Sequence, residues 1–198
     1  MKIQYKVLCT LLLVLAGEQT PEAQKPALRL TRAEIKVPMA EAGEAGLQTV
    51  LILPSTPGKH PLVLMTHGSD YSKGKNQQMG PGMMQPQAIW FARRGWVVAI
   101  VTRRGYGASG GKMDKTHYEC DESAFATIAD ENAHDLEAAY DTVKNLPQVD
   151  GKNVIVTGNS AGGYASPSFW RARTTSAQGG HQLFWWLAFD VLFWKLCQ

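Results

Sequence analysis

A chain of 198 residues with 44% hydrophobic and 19% charged residues suits one globular domain with a real core plus a leader. Its net charge of +3 is small and dispersed, which argues against nucleic acid as a partner. Cys9 falls in an apolar leader, and Cys120 and Cys197 are too far apart for a disulfide framework or a zinc pattern.

The first residues read as an export signal over 1–17. Lys2 and Lys6 form a basic start, Val7 to Ala16 an apolar stretch, and Ala16-Gly17 a small-residue cleavage site. This predicts a secreted or periplasmic protein. The stretch is shorter than the roughly 20 residues a membrane-spanning helix needs, so no stable span is expected once the signal is removed. The alternatives are an N-terminal strand or an uncleaved anchor. Residues 18–27, with Pro21 and Pro26, read as a linker.

Leu28 to Val37 alternates apolar and polar residues, as an edge strand does. Leu47 to Leu53 is a second strand closed by Pro54. Leu62 to Thr66 is a continuous apolar run, which predicts a buried central strand. A polar loop rich in Gly and Met follows from Ser69 to Gln85. Pro86 is placed to open a helix, and Gly95 to lie just beyond its end. Trp96 to Thr102 is another buried strand, and Arg103 to Gly111 a glycine-rich loop. Phe125, Ile128, Leu136, Tyr140 and Val143 mark one helix face, which Pro147 terminates. Val154 to Thr157 is a further short strand. Strands alternating with helices predict an α/β fold with a mostly parallel sheet covered on both faces.

Gly158-Asn159-Ser160-Ala161-Gly162 matches G-x-S-x-G between a predicted strand and a predicted helix start. A turn this tight needs small neighbours, which Gly158 and Gly162 supply. It lifts the Ser160 hydroxyl above the strand end, at the positive end of the next helix. Acyl transfer also needs two N–H donors aimed at the developing oxyanion. One is expected from Ala161, the other from Gly68 or Ser69 in His67-Gly68-Ser69.

Other signals have plainer readings. Gly105 to Gly110 matches G-x-G-x-x-G, but Gly111-Lys112-Met113-Asp114-Lys115 shows no helical period to receive a pyrophosphate. A tight surface loop near the rim of the site is expected instead. Asp130, Glu131, His134 and Asp135 have no recognised ligand spacing and read as a solvated helix face, so no metal site is expected. The pairs Arg93-Arg94 and Arg103-Arg104 read as solvated charge at element ends. Met79, Met83 and Met84 either line an acyl pocket or simply pack their loop.

The series His67-Gly68-Ser69, Arg103-Arg104-Gly105-Tyr106-Gly107-Ala108-Ser109-Gly110-Gly111 and Gly158 to Gly163 resembles the dienelactone hydrolase-like branch of the α/β-hydrolases. That branch sits close to secreted esterases and to prolyl-oligopeptidase-type peptidases. The resemblance covers roughly residues 28–166 and implies a three-layer sandwich. It also implies a serine hydrolase that cleaves small ester or peptide-like substrates. The nucleophile would be Ser160, in a Ser–His–Asp mechanism with an acyl-enzyme and neither metal nor cofactor. His67 precedes the nucleophile, whereas the family's base follows it. His67 is therefore expected to support the oxyanion loop.

The pattern breaks in the tail. The family's order is Ser, then an acid, then His. After Ser160 the one acidic residue is Asp190 and the one histidine is His181, in reverse order. Pro167 interrupts the expected helix, and Trp170, Trp185, Trp186 and Trp194 crowd the end. We read 28–166 as the N-terminal part of a hydrolase domain and 167–198 as an aberrant tail. The genetic code permits a one-base frame shift that turns Trp185-Trp186 into Gly-Gly. The preceding positions can then read Val-Val-Ile-Asn-Phe-Ser, a strand running into a glycine turn. The alternative is a divergent tail in which Leu183 to Leu196 forms an amphipathic or interfacial helix. For the chain as it stands, a rival to the enzyme is an inactive fragment or pseudo-hydrolase with a binding role.

Overall fold

The computed structural model describes residues 28–69, 78–112, 122–175 and 188–189. The expected signal, the linker, most of the tail, His181 and Asp190 lie outside these residues.

β1 (Leu30–Val37) and β2 (Leu47–Pro54) pair antiparallel over their full length, with Leu30 opposite Pro54 and Val37 opposite Leu47. The connection turns at Gly46, where φ is +62° and a Cβ would lie 2.5 Å from the Val37 carbonyl oxygen. Only glycine fits both limits. β3 (His60–Thr66), β4 (Val97–Val101), β5 (Val149–Asn159) and the two-residue β6 (Ala188–Phe189) complete one sheet in the order β1-β2-β4-β3-β5-β6. β2 meets β4 antiparallel, and the pairs β4–β3, β3–β5 and β5–β6 are parallel. β1 is an edge strand, as its alternation predicts.

Parallel neighbours require crossovers, and helices supply them. α1 (Gln85–Ala92) joins β3 to β4, α2 (Glu122–Val143) joins β4 to β5, and α3 (Ala161–Thr175) follows β5. Pro86 sits in the first turn of α1, and Gly95 lies beyond its end at φ +86°. Strand alternation then divides the core in two. Val63, Met65, Val98 and Ile100 face α1 with Met84, Ala88 and Ala92. Leu62, Leu64, Val97, Ala99 and Val101 face Leu136, Tyr140 and Val143 of α2 and Phe169 of α3. The result is the expected three-layer α/β sandwich. Every residue of β4 is buried, because helices cover the strand on both sides.

Two boundaries differ from the sequence reading. β5 begins at Val149 rather than Val154, because Val149 and Asp150 pair with His60 and Pro61 before a register shift. Pro167 does not end its helix: α3 continues to Thr175. Phe169 and Trp170 are buried against the α2 side of the core, and Phe169 packs edge-on to Tyr140 at 5.8 Å. Tertiary packing here outweighs the local penalty of an internal proline. The expected boundary at residue 166 thus falls inside a helix.

Candidate active site

The loops that follow β3, β4 and β5 leave from the carboxyl ends of adjacent parallel strands, where open α/β sheets place their sites. Ser160 lies between β5 and α3 with φ +49°, the sole non-glycine residue at positive φ among the described residues. Its neighbours show why the turn closes. A Cβ on Gly158 would lie 2.5 Å from the Gly162 carbonyl oxygen. One on Gly162 would lie 2.5 Å from the His67 oxygen and 2.8 Å from that of Thr66. Both glycines are therefore sterically required. The first turn of α3 rests directly on the end of β3.

The loop after β3 passes beside the serine. A Cβ on Gly68 would lie 3.2 Å from the Ser160 Cβ and 3.1 Å from Asn159 Oδ1. The structure thus brings together Ser160, Ala161, Gly158, Gly162, His67 and Gly68. Ser69, next in the chain, accepts from the Tyr106 hydroxyl at 3.0 Å and from Arg103 Nη2 at 3.2 Å.

Backbone directions follow from the hydrogen bonds. The Ser160 carbonyl accepts from Gly163 N–H at 2.7 Å and Tyr164 N–H at 3.3 Å, so it points along α3. In a trans peptide the next N–H points the opposite way. Ala161 N–H is therefore directed out of the helix N-terminus, where unsatisfied donors and the helix dipole favour negative charge.

His67 is buried, and its two ring nitrogens have different tasks. Nε2 accepts from the Arg103 backbone N–H at 3.2 Å. Nδ1 must then carry the proton, and it donates to the Gly68 carbonyl at 2.6 Å. Burial first, and the neighbouring Arg103 charge second, hold the imidazole pKa down to about 3. The ring is neutral at physiological pH, and its lone pair is already engaged. This geometry suits a support of the loop.

Arg103 overturns the reading of solvated charge, since it is 1% exposed. Nη2 donates to the His67 oxygen at 3.0 Å and the Gly68 oxygen at 2.6 Å, and Nη1 donates to Asn132 Oδ1 at 2.5 Å. Tyr106 packs edge-on to His67, with ring centroids 4.8 Å apart. Arg104 is also drawn inward: Nε meets Asp135 Oδ1 at 2.5 Å, and its backbone N–H meets Oδ2 at 2.8 Å. Asp135 is correspondingly buried, which corrects the solvated reading for that residue. Burial raises its carboxyl pKa, and the Arg104 donors oppose that rise. The rest of the acidic group is nearer solvent, with Glu131 on Arg104, His134 on Glu41 and Asp130 on Arg171. Among the described residues no group of His, Cys, Asp and Glu is placed to hold a metal ion.

The glycine-rich loop is anchored more firmly than a surface turn. Gly110 N–H bonds the Gly46 oxygen at 2.9 Å, and Ser109 Oγ donates to the Thr102 oxygen at 2.6 Å. Tyr106 at its centre is 1% exposed. Gly111 and Lys112, which follow the motif directly, are not helical, so the dinucleotide fingerprint does not open straight into the helix it requires. Met79 and Met84 are buried, whereas Met83 is exposed. No helix among the described residues is long and apolar enough to cross a membrane.

Asn132, Arg103 and Tyr106 are the site residues that sequence reasoning missed. Asn132 left a signal, because it lies four residues after Ile128 and four before Leu136, in phase with the buried face of α2.

None of the curated proteins matches this sequence. Among solved structures, one of a DcsB complex with its substrate analogue is similar at 22% identity and TM-score 0.48, covering 72% of this chain and 41% of that one. A dienelactone hydrolase-like promiscuous phosphotriesterase from metagenomic libraries is similar at 15% identity and TM-score 0.53, covering 79% of this chain and 59% of that one. This chain therefore spans about half the length of these structures, and the latter likeness speaks for the α/β-hydrolase fold alone. The family profile described as X-Pro dipeptidyl-peptidase (S15 family) matches residues 43–175, from the turn before β2 to the end of α3. With its sheet order, its serine turn and this match over more than half its length, the chain belongs to the X-Pro dipeptidyl-peptidase (S15) family of α/β-hydrolases.

Proposed function

We propose that the protein is a serine hydrolase of ester or amide bonds and that Ser160 is its nucleophile. The observation that carries this reading is the Ser160 turn. A serine is held at φ +49° between a buried strand and a helix N-terminus, with Gly68 against it. In the proposed reaction Ser160 Oγ adds to the acyl carbon and its proton passes to a histidine. The oxyanion takes hydrogen bonds from Ala161 N–H and from Gly68 or Ser69 N–H. Collapse expels the alcohol or amine, which takes the proton, and water then releases the acid from the acyl-enzyme. Substrates are small esters or peptide-like molecules, and the leader directs the protein to the cell exterior or periplasm.

A fluorophosphonate probe followed by peptide mass spectrometry tests this. The expected adduct lies on Ser160 and is absent in Ser160→Ala. Labelling of a different residue, or equal labelling of the variant, rules the reading out.

One observation favours a second reading, a binding protein without turnover. The chain after Ser160 carries His181 before Asp190, the reverse of the order that the mechanism uses. Sequencing the encoding DNA through the tail in the shifted frame separates the two readings. A continuous frame containing an acid and then a histidine supports the enzyme.

A further inference from the structure

Both proposed oxyanion donors sit on backbone segments whose carbonyls are gripped from behind. Arg103 Nη2 holds the His67 and Gly68 oxygens at 3.0 and 2.6 Å. Each of these carbonyls shares a peptide plane with the next N–H, and no described peptide is cis. Fixing the carbonyls of residues 67 and 68 toward Arg103 turns the N–H groups of Gly68 and Ser69 away from it. The guanidinium charge also polarises both peptide units along their N–H bonds.

The same arginine reaches the other donor through one side chain. Nη1 donates to Asn132 Oδ1 at 2.5 Å, and Asn132 Nδ2 donates to the Ala161 oxygen at 3.2 Å. Asn132 is 5% exposed. Its amide orientation is fixed by its partners, since Arg103 can only donate and the Ala161 carbonyl can only accept. A continuous buried path thus runs from the Gly68 loop through Arg103 and Asn132 to the first residue of α3.

We propose that Arg103 and Asn132 are positioning residues that brace the two halves of the oxyanion site at a fixed separation. The proposal rests on the serine hydrolase reading for its consequence, but the brace itself can be tested without turnover. An oxyanion hole requires its donors about 3 Å from the developing charge. Two loops on different strands keep that spacing only if something ties them. Asparagine suits the tie because it accepts from the arginine and donates to the carbonyl at once. Aspartate accepts from Arg103 but has no proton for the Ala161 oxygen, and its charge repels that oxygen. Leucine removes both links.

The full chain, Asn132→Asp and Asn132→Leu are compared by two measurements. The first is amide hydrogen exchange of peptides covering residues 66–69 and 159–164, with β1 and β2 as internal control. The second is inactivation of Ser160 by a fluorophosphonate, resolved into its maximal rate and its half-saturating concentration. In Asn132→Asp we expect exchange to rise at 159–164 and stay unchanged at 66–69, where Arg103 still holds its carbonyls. We expect the maximal inactivation rate to fall roughly ten- to hundredfold, with half-saturation and melting temperature near those of the parent. A residue that only stabilised the fold would lower the melting temperature and leave the rate alone. In Asn132→Leu both segments should exchange faster.

Exchange unchanged in both variants overturns the brace, as does a changed exchange with an unchanged inactivation rate. If Asn132→Leu does not fold, Asn132→Asp decides alone. If the parent is not labelled at all, a missing base explains that as well as a wrong nucleophile does, and exchange alone decides whether the brace exists.

Discussion

Ser160 holds a backbone conformation that costs a side-chain-bearing residue about 1–2 kcal/mol, because φ is +49°. Ser160→Ala keeps that strain, whereas Ser160→Gly relieves it and loses some backbone entropy on folding. The glycine variant should be the more stable by roughly 1 kcal/mol, read from urea midpoints. An alanine variant that is equally or more stable would show that the turn is unstrained. His67 gives a pH test. Its folded pKa is lowered from 6.5 to about 3. Between those values the unfolded chain binds a proton that the folded chain refuses. Stability is therefore whole above pH 6.5 and falls as pH drops toward 3, with a slope from this group approaching about 1.4 kcal/mol per pH unit. In a urea series across that window, His67→Gln should show a profile shallower by that slope. Parallel profiles for parent and variant would mean that His67 does not titrate as its burial requires. The turn at Ser160 was legible in the sequence because it is carried by a five-residue motif after a strand, although Gly68 and Gly162 are held small by contacts between the end of β3 and that turn. Arg103 was not, because two adjacent arginines look alike until packing buries one and pairs the other at the rim.

At the scale of elements, the strands were readable from apolar runs and the helices from period and punctuation. The misreading of α3 is instructive because local and tertiary rules conflict there. Pro167 cannot donate to the Gly163 carbonyl four residues earlier, and an internal proline costs a helix about 3 kcal/mol. The helix nevertheless runs from Ala161 to Thr175, because Phe169 and Trp170 lie beyond the proline and bury against α2. Pro167 itself points to solvent, so replacing it disturbs no core contact. Pro167→Ala should restore one helical hydrogen bond and stabilise the protein by roughly 1–3 kcal/mol, less what proline saves by stiffening the unfolded chain. Calorimetry of the two proteins checks this, and an unchanged or lower melting temperature for the variant would contradict it. The buried polar residues of α2 show the reverse limit. Asn132 and Asp135 fall in phase with its apolar face, yet Asp135 read as solvated and Asn132 was not singled out. Their partners, Arg103 and Arg104, are 29 and 31 residues away in sequence, and only the folded sheet brings them together.

The whole molecule places three loops at the carboxyl ends of β3, β4 and β5, and the order of their motifs along the chain already implied that convergence. In the mechanism we propose, the acid and the base come from chain beyond α3. Among the described residues β6 meets β5 only at Gly158–Ala188 and Asn159–Phe189, so most of the outer edge of β5 carries no described partner. His181 and Asp190 lie outside the described residues and in reversed order for a triad. A serine without its base retains only the catalysis of the oxyanion site and of substrate binding. That residue is about 10³–10⁴-fold over water, against the far larger factor of an intact triad. The 198-residue chain should therefore turn over nitrophenyl esters orders of magnitude more slowly than intact serine hydrolases do. Purified chain, Ser160→Ala and His181→Ala assayed together resolve the matter. If the parent is as fast as intact hydrolases and both variants lose that rate, His181 is the base, and the aberrant reading fails for the segment after α3 as it already has for residues 167–175. If the parent is slow while a frame-corrected longer product is fast and depends on Ser160, the site described here is that of an enzyme whose base and acid lie in the corrected segment.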